Sequence, residues 1–251
     1  MIQVIKIGGG ILENETSREM FLRQFAAVEG PKVLVHGGGR LATTMAERLG
    51  VEQQMIDGRR VTDKETLNIV TMVYGGLVNK QLVASLQKMG VNAIGLTGAD
   101  GGWMNAVKRP IKNGIDYGYV GDVKEVNGSF LRMLIDNGYV PVIAPLTYSE
   151  EGWLLNTNAD TIASETAKSL VPDVRLTFCF EKAGVLRDAE DESSVIECIN
   201  RESYKQLLAD GIVSGGMIPK IDNAFAAIEN GVQSVRITHA TNLQGGTVIV
   251  E

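Results

Sequence analysis

Cysteine, histidine and surplus positive charge are all scarce in this 251-residue chain, and each shortage closes off a class of function. The two cysteines, Cys179 and Cys198, are too few for a disulfide framework, so a reduced pair is the expectation. The two histidines form no cluster with cysteine or carboxylate at metal-site spacing, and no protein-held metal is expected. The formal net charge is −6 and both signs are scattered, which leaves no basic face for a nucleic-acid backbone. There is no charged-then-apolar leader and no apolar run approaching membrane-spanning length, so a cytoplasmic location without a membrane partner is expected. Neither G-x-G-x-x-G nor G-x-x-x-x-G-K-[ST] occurs, which excludes the dinucleotide fingerprint and the Walker loop.

Glycine is abundant instead: 29 residues, gathered at junctions rather than in a repeat. Residues 32–40, KVLVHGGGR, set a short β-branched run (33–35) before Gly37, Gly38 and Gly39. A helix is predicted over 41–49, with Ala42, Met45, Ala46 and Leu49 on one face. Glycine lets backbone N–H groups approach a ligand closely, and the helix start behind it adds unpaired donors and a positive dipole end. Phosphate is the anion that suits such a place, although a tight strand-to-helix connection needs no ligand. The pattern recurs. A strand at 3–7 carries Lys6 into Gly8, Gly9 and Gly10, and Gly215-Gly216-Met217-Ile218-Pro219-Lys220 precedes a helical pattern at 221–229. Glycine clusters with a lysine attached at both ends of the chain suggest a polyphosphate flanked by two cations.

Between these clusters, helices are predicted over 17–28, 63–89, 131–137, 201–210 and from Asp160 to Ser169, the second with a kink or close contact at Gly75-Gly76. Strands are predicted at 92–96, 139–144, 173–180, 234–239 and 247–250. The 53–62 stretch suggests a loop or short hairpin, 103–126 small antiparallel strands or a lid, and 150–155 a hairpin, while 188–192 forms an acidic loop. Alternating strands and helices imply a mainly parallel sheet covered on both faces. Such sheets bind ligands beyond the carboxyl ends of their strands. Residues 8–10, 37–39, Gly98, 156–160 and 181–184 are therefore expected at one edge.

Lys6 and Lys220 are the candidates for stabilising a transferring phosphoryl group. Asp160 would orient both lysines, or simply help to start its helix together with Asn158. Asn156 and Asn158 would hold a polar substrate, and Arg60 would grip a carboxylate, with Arg59 competing and Thr62 assisting. His36 and His239 suit packed, hydrogen-bonded roles, and any metal would arrive as Mg²⁺ held by nucleotide phosphates.

Taken together, K-x-G-G at Lys6, V-H-G-G-G at Val35, G-x-R-V-T at Gly58, N-x-N-A-D at Asn156 and G-G-M-x-P-K at Gly215 resemble the amino acid kinases over nearly the whole chain. The resemblance implies an α/β fold, a three-layer αβα sandwich around an open, mainly parallel eight-stranded sheet. It implies a single domain, 1–251, with an acylglutamate-binding lobe (1–150) and an ATP-binding lobe (151–251). By the same resemblance, Lys6 and Lys220 stabilise the phosphoryl group, Asp160 organises them, and Gly38 and Gly39 hold the phosphoryl with help from Gly9. Arg60 would hold the acceptor's α-carboxylate, and Asn156, with Asn158 nearby, its α-nitrogen region. Nucleotide contacts would fall on Gly8, Gly9, Glu181, Gly184, Gly215, Gly216 and Met217.

The implied reaction is ATP-dependent phosphorylation of the γ-carboxylate of an N-acylated glutamate in arginine biosynthesis, with Mg²⁺ carried by the ATP. N-acetyl is the leading acyl group. N-succinyl is the alternative, prompted by Arg40, Arg59, Lys108 and Arg109 in the amino-terminal half. A sibling kinase or a non-catalytic nucleotide sensor ranks lower. One departure stands out: Phe180-Glu181-Lys182-Ala183 occupies the place of the usual Thr/Ser-Asp-Val stretch. The amino-terminal extension of arginine-inhibited hexameric relatives is missing, so a homodimer without that feedback is expected.

Overall fold

The computed structural model describes residues 1–56, 58–188 and 190–251. The expected 53–62 and 188–192 loops therefore each contain one residue, Asp57 and Ala189, outside the described residues. Strand β1 (Ile2–Ile7) leads into helices α1 (Gly9–Glu13) and α2 (Glu15–Ala27), and β2 (Lys32–His36) leads into α3 (Gly39–Arg48). A ribbon of β3 (Met55–Ile56) and β4 (Arg59–Arg60) precedes α4 (Lys64–Val70), a π-helical segment (Thr71–Val78) and α5 (Asn79–Lys88). Next come β5 (Ala93–Leu96), β6 (Met104–Lys108), β7 (Gly121–Val126), α6 (Gly128–Asp136) and β8 (Val140–Ile143). Then follow β9 (Leu146–Tyr148), β10 (Leu154–Asn156), α7 (Ala159–Ser169), β11 (Val174–Phe180) and β12 (Cys198–Ile199). The chain closes with α8 (Arg201–Ala209), α9 (Met217–Glu229), β13 (Ser234–His239) and β14 (Thr247–Ile249).

Eight strands form one sheet in the order β12-β14-β13-β11-β1-β2-β8-β5, parallel except where β14 meets β13. This is the αβα sandwich expected from the sequence. In β1 every residue but Gln3 is buried, as a central parallel strand covered on both faces requires, and Lys6 is the one charged residue among them. One core lies under α6–α9, with Leu131, Ile162, Leu207 and Phe225 against Val4, Leu176 and Ile237. The other lies under α2, α3 and the long helix, with Phe21, Phe25, Ala42 and Leu82 against Ile7, Leu34 and Val142. Each fully buried Leu or Phe of this kind contributes about 1.5–3 kcal/mol relative to leaving it in water.

The 103–126 region does form antiparallel strands. In it, β6 pairs with β7 and joins β9 and β10 in a second, four-stranded sheet. The hairpin expected at 150–155 is longer, pairing 146–148 with 154–156. The strand β12 carries only two residues, too short for any periodicity to announce it. Gly75 and Gly76 sit in the π-helical segment rather than at a kink, and Gly75 approaches Leu146 so closely that a methyl group would lie 3.3 Å from its Cδ1. The helix Lys64–Lys88, 25 residues, is long and apolar enough to cross a membrane by length and composition only. Its Leu67, Val70, Val73, Val78, Leu82 and Leu86 are buried in the second core, while Met72 and Leu77 stay exposed.

Candidate active site

At the carboxyl end of β1, Gly9 opens α1; at the end of β2, Gly39 opens α3. The two turns touch. A methyl group on Gly9 would lie 3.5 Å from the Gly38 nitrogen and 3.6 Å from that of Gly39, and one on Gly37 would lie 3.2 Å from the Gly9 nitrogen. Two helix starts thus bring their backbone N–H groups to one place, where they favour an anion. Gly38 is also required from behind, since its missing Cβ would come within 2.9 Å of the Tyr74 ring.

A cavity of about 560 Å³ opens beyond these turns and is lined by Gly38, Gly39, Arg60, Asn156, Asp160 and Lys220 among others. A second cavity of about 470 Å³ adjoins it, sharing Gly39, Phe180 and Lys220, and is lined also by Gly8, Gly9, Glu181, Gly184 and Met217. The structure therefore brings the expected phosphoryl, acceptor and nucleotide residues to these two adjoining cavities, apart from Lys6, Gly215 and Gly216. Gly215 and Gly216 line neither cavity; Gly215 takes a φ of 53° in the turn before α9, and Gly216 is the residue preceding that helix. Gly98 is also elsewhere, packed against Met104 and Thr147 in the small sheet. The segment 156–160 does reach the cleft, but it follows β10 of the second sheet rather than a strand of the main one.

Lys6 points from β1 to the first turn of α7, where its ammonium lies 2.7 Å from Asp160 Oδ1. Its side chain is 9% exposed, against 38% for the aspartate, so Lys6 sits just behind the cavity wall and Asp160 faces into the cavity. Lys220 lies in the first turn of α9, which starts earlier than the sequence pattern suggests because Pro219 is tolerated there. Its ammonium stands 3.8 Å from the centre of the Phe180 ring, with Lys6 5.5 Å from the same ring. Burial pulls the Lys220 pKa below its ordinary value; Asp160 works against that shift, while Lys6 reinforces it. Phe180, part of the departure from the family pattern, thus offers its π face to both lysines.

Arg60 is 8% exposed, and its guanidinium donates to Gln53 Oε1, to the Gly39 carbonyl (2.8 Å) and to Thr43 Oγ1 (2.8 Å). Tyr74, whose phenol is pushed up in pKa by burial and held down by Arg60, also lines the cavity. Asn156 donates to the buried Thr62 hydroxyl at 2.9 Å. Asn158 caps α7, accepting from the Asp160 and Thr161 amides at 2.8 and 3.2 Å, so its carbonyl oxygen has the helix-starting role. Of the four spare basic residues, Arg40 faces Glu13 and Glu181, and Lys108 faces Asp116. Arg109 grips Asp122 with two nitrogens; it and Arg59 line the cavity.

His36 is fully buried. Its Nδ1 lies 2.7 Å from the Gly37 carbonyl and its Nε2 3.1 Å from Asn79 Nδ2, and burial lowers its pKa to about 4. His239 contacts Thr241 Oγ1 at 2.7 Å. Both histidines pack as expected. The two cysteines are free, and burial raises the Cys179 thiol to about 12. Among the described residues no three His, Cys, Asp or Glu side chains group as a metal site.

The family model described as "Amino acid kinase family" matches residues 1–239. This chain belongs to the amino acid kinase family. Among curated proteins of the family, "Acetylglutamate kinase" of Phocaeicola vulgatus is 58% identical, over 99% of this chain and 98% of its own length. The protein of that name from Parabacteroides distasonis is 57% identical, over 97% and 96%. Among solved structures, that titled smu.665 from Streptococcus mutans superposes with a TM-score of 0.81 at 32% identity, covering 99% of this chain and 98% of that one. Within this amino acid kinase, Tyr74 lines the cavity and Gln53 and Thr43 hold Arg60, and the sequence singled out none of the three. Tyr74 falls at core spacing in a helix, so no local pattern separates it from packing residues.

Proposed function

We propose that this chain is an acetylglutamate kinase, transferring the γ-phosphoryl group of ATP to the γ-carboxylate of N-acetyl-L-glutamate in arginine biosynthesis. The observation that carries the proposal is one cleft lined by Asp160, Lys220, the glycine turns and Arg60, with Lys6 paired to Asp160 just behind its wall, in a chain similar over nearly its full length to proteins named for that activity.

The acceptor's α-carboxylate sits against Arg60, and its amide region against Asn156 and the exposed part of Asn158. The γ-carboxylate then faces the N–H groups of Gly38 and Gly39, with Gly9 beside them. Adenine and ribose occupy the cavity lined by Gly8, Glu181, Gly184 and Met217. Attack is in line, and no general base is needed because the nucleophile is already an anion. The chief obstacle is repulsion between that anion and the phosphates, which Lys6 and Lys220 offset as charge redistributes. Asp160 keeps the two ammonium groups apart and oriented. Magnesium comes with the nucleotide: of the carboxylates lining the two cavities, Asp160 is taken by Lys6, Glu165 by Lys168, and Glu181 faces Arg40. When bound, the ion would neutralise phosphate charge.

The sheet supports two lobes. Strands β5, β8, β2 and β1 belong to residues 1–150, and β11, β13, β14 and β12 to residues 151–251. A homodimer fits the exposed Met72 and Leu77 on the long helix and the unpaired edge of β5. Two free thiols suit the cytoplasm.

The test is kcat/KM for N-acetyl- and N-succinyl-L-glutamate at saturating MgATP. A preference of about tenfold or more for the acetyl substrate, about 1.4 kcal/mol, supports the proposal. The reverse preference would move the acceptor to the succinyl compound, and no transfer to either would overturn the reading.

A further inference from the structure

The sheet is not equally covered along its length. On the face toward α6–α9, residues Val4, Val174, Leu176, Val235 and Ile237 are all buried in one core. The opposite face of the same strands is polar. Strand register places Gln3, Arg175 and Ser234 in one row across β1, β11 and β13. The next row on that face holds Ile5, Thr177, Arg236 and Val248. One row further on, Cys179 and Thr238 are fully buried again, beneath the turn that joins β13 to β14. These first two rows, in which Arg175 is exposed while Ile5 and Thr177 are buried, floor a cavity of about 710 Å³ between the end of α2 and that turn.

Its wall is fixed rather than loose. The Gln24 side chain of α2 donates to the Thr241 carbonyl and accepts from the Leu243 amide at 3.1 Å, which ties the turn to the helix. Arg236 donates through Nη1 to the Gln244 and Gly245 carbonyls at 2.8 and 2.6 Å, leaving Nη2 and Nε without a partner among the described residues. The Arg175 side chain has no hydrogen-bond or ion-pair partner among the described residues. The two guanidinium groups are diagonal neighbours on adjacent strands, where like charges are unfavourable unless a counter-charge sits between them. Burial and the neighbouring Arg175 both weigh against the charge on Arg236. One carboxylate, Glu29, shares the lining, so the cavity keeps a positive balance.

We propose that this groove is a second ligand site, separate from the kinase cleft, for a small anion bearing carboxylate or phosphate groups. Arg175 and Arg236 hold the anion in the forked geometry that guanidinium offers to such groups, and the hydroxyls of Thr177 and Ser234 donate to it. Val248 and Leu243 give one side an apolar wall, which admits a short carbon skeleton.

The full chain, uniformly labelled with nitrogen-15, is titrated separately with inorganic phosphate and with citrate while backbone amide shifts are followed. The expected result is saturable shifts at residues 175–177 and 234–236 with at least one anion; comparing the two titrations tells phosphate recognition from carboxylate recognition. Arg175→Ala, a change at an exposed position, should weaken saturation there by about tenfold or more, and Arg175→Glu should abolish it. Neither variant should alter shifts at Gly9, Gly38 and Gly39, where phosphate also meets the kinase site. The proposal is overturned by an absence of saturable shifts in the groove with both anions, or by shifts there that Arg175→Ala and Arg175→Glu leave unchanged.

Discussion

Lys6 and Asp160 meet at 2.7 Å where β1 passes the first turn of α7, and the aspartate is the more exposed of the two. The carboxylate therefore stands between one lysine and the cleft, while Lys220 approaches from α9 over the Phe180 ring. Both ammonium groups matter most when negative charge shifts during transfer, so their loss belongs in kcat. Lys6→Ala and Lys220→Ala should each lower kcat by about 100-fold or more, equivalent to about 2.7 kcal/mol or more, with little change in acceptor KM. Steady-state kinetics giving a raised KM at unchanged kcat would count against these roles.

Arg60 has a different position, because it holds the Gly39 carbonyl and Thr43 as well as facing the cavity. Arg60→Ala should raise the acceptor KM by about tenfold or more, as expected for losing a charge-assisted grip. It should also disturb ATP binding by freeing the turn that carries Gly39. Arg59→Ala, at an exposed position without those bonds, should leave the ATP constants alone. Equal effects of the two changes on every constant would dissolve the distinction.

Gly38 and Tyr74 make a tighter test of the cradle. A methyl group at Gly38 would overlap the Tyr74 ring at 2.9 Å, so Gly38→Ala must move either the ring or the turn. Overpacking of this kind costs about 1–3 kcal/mol. The expected outcome is a lower melting temperature together with a sharp loss of kcat. Tyr74→Phe keeps the ring and removes the hydroxyl beside Arg60, so it should raise acceptor KM a few-fold while stability stays near the parent value. Thermal scans and acceptor titrations of the two variants check both statements.

The parts of the molecule that sequence made visible are those whose chemistry is local. Gly37–39 after a β-branched strand, Lys6 inside a strand and Lys220 after Gly215-Gly216 all advertise a phosphate site through residue type alone. The parts that stayed hidden depend on contacts between distant segments. Tyr74 lies in a long apolar helix, and only the packing of that helix under the Gly38 turn makes it a site residue. Gln53 and Thr43 become partners of Arg60 only once β4 folds over α3. Gly215 and Gly216, beside Lys220, line neither cavity: Gly215 takes a φ of 53° in the turn before α9 and Gly216 directly precedes that helix. Gly98 follows β5 as the phosphate turns follow their strands, but it was needed for the close approach of Met104 and Thr147.

The last prediction concerns His36, which ends β2 one residue before the glycine turn and is fully buried, with a pKa lowered by burial to about 4. An exposed histidine in the unfolded chain titrates near 6.5. As pH falls below that value the unfolded state takes up the proton first, so the folded state loses stability until the folded group also titrates near 4. The full difference amounts to about 3 kcal/mol, of which about 2 kcal/mol is lost between pH 7 and pH 5. Above pH 7 this contribution is flat. Urea denaturation at pH 7 and pH 5 measures the loss directly. His36→Gln removes the titrating group while keeping an amide that can reach the Gly37 carbonyl or Asn79, so the variant should start less stable but lose about 2 kcal/mol less over the same interval. If parent and variant shared the same pH slope, the imidazole would not be the group that titrates, and the buried contact between His36 and Asn79 would have to open before acid unfolding begins.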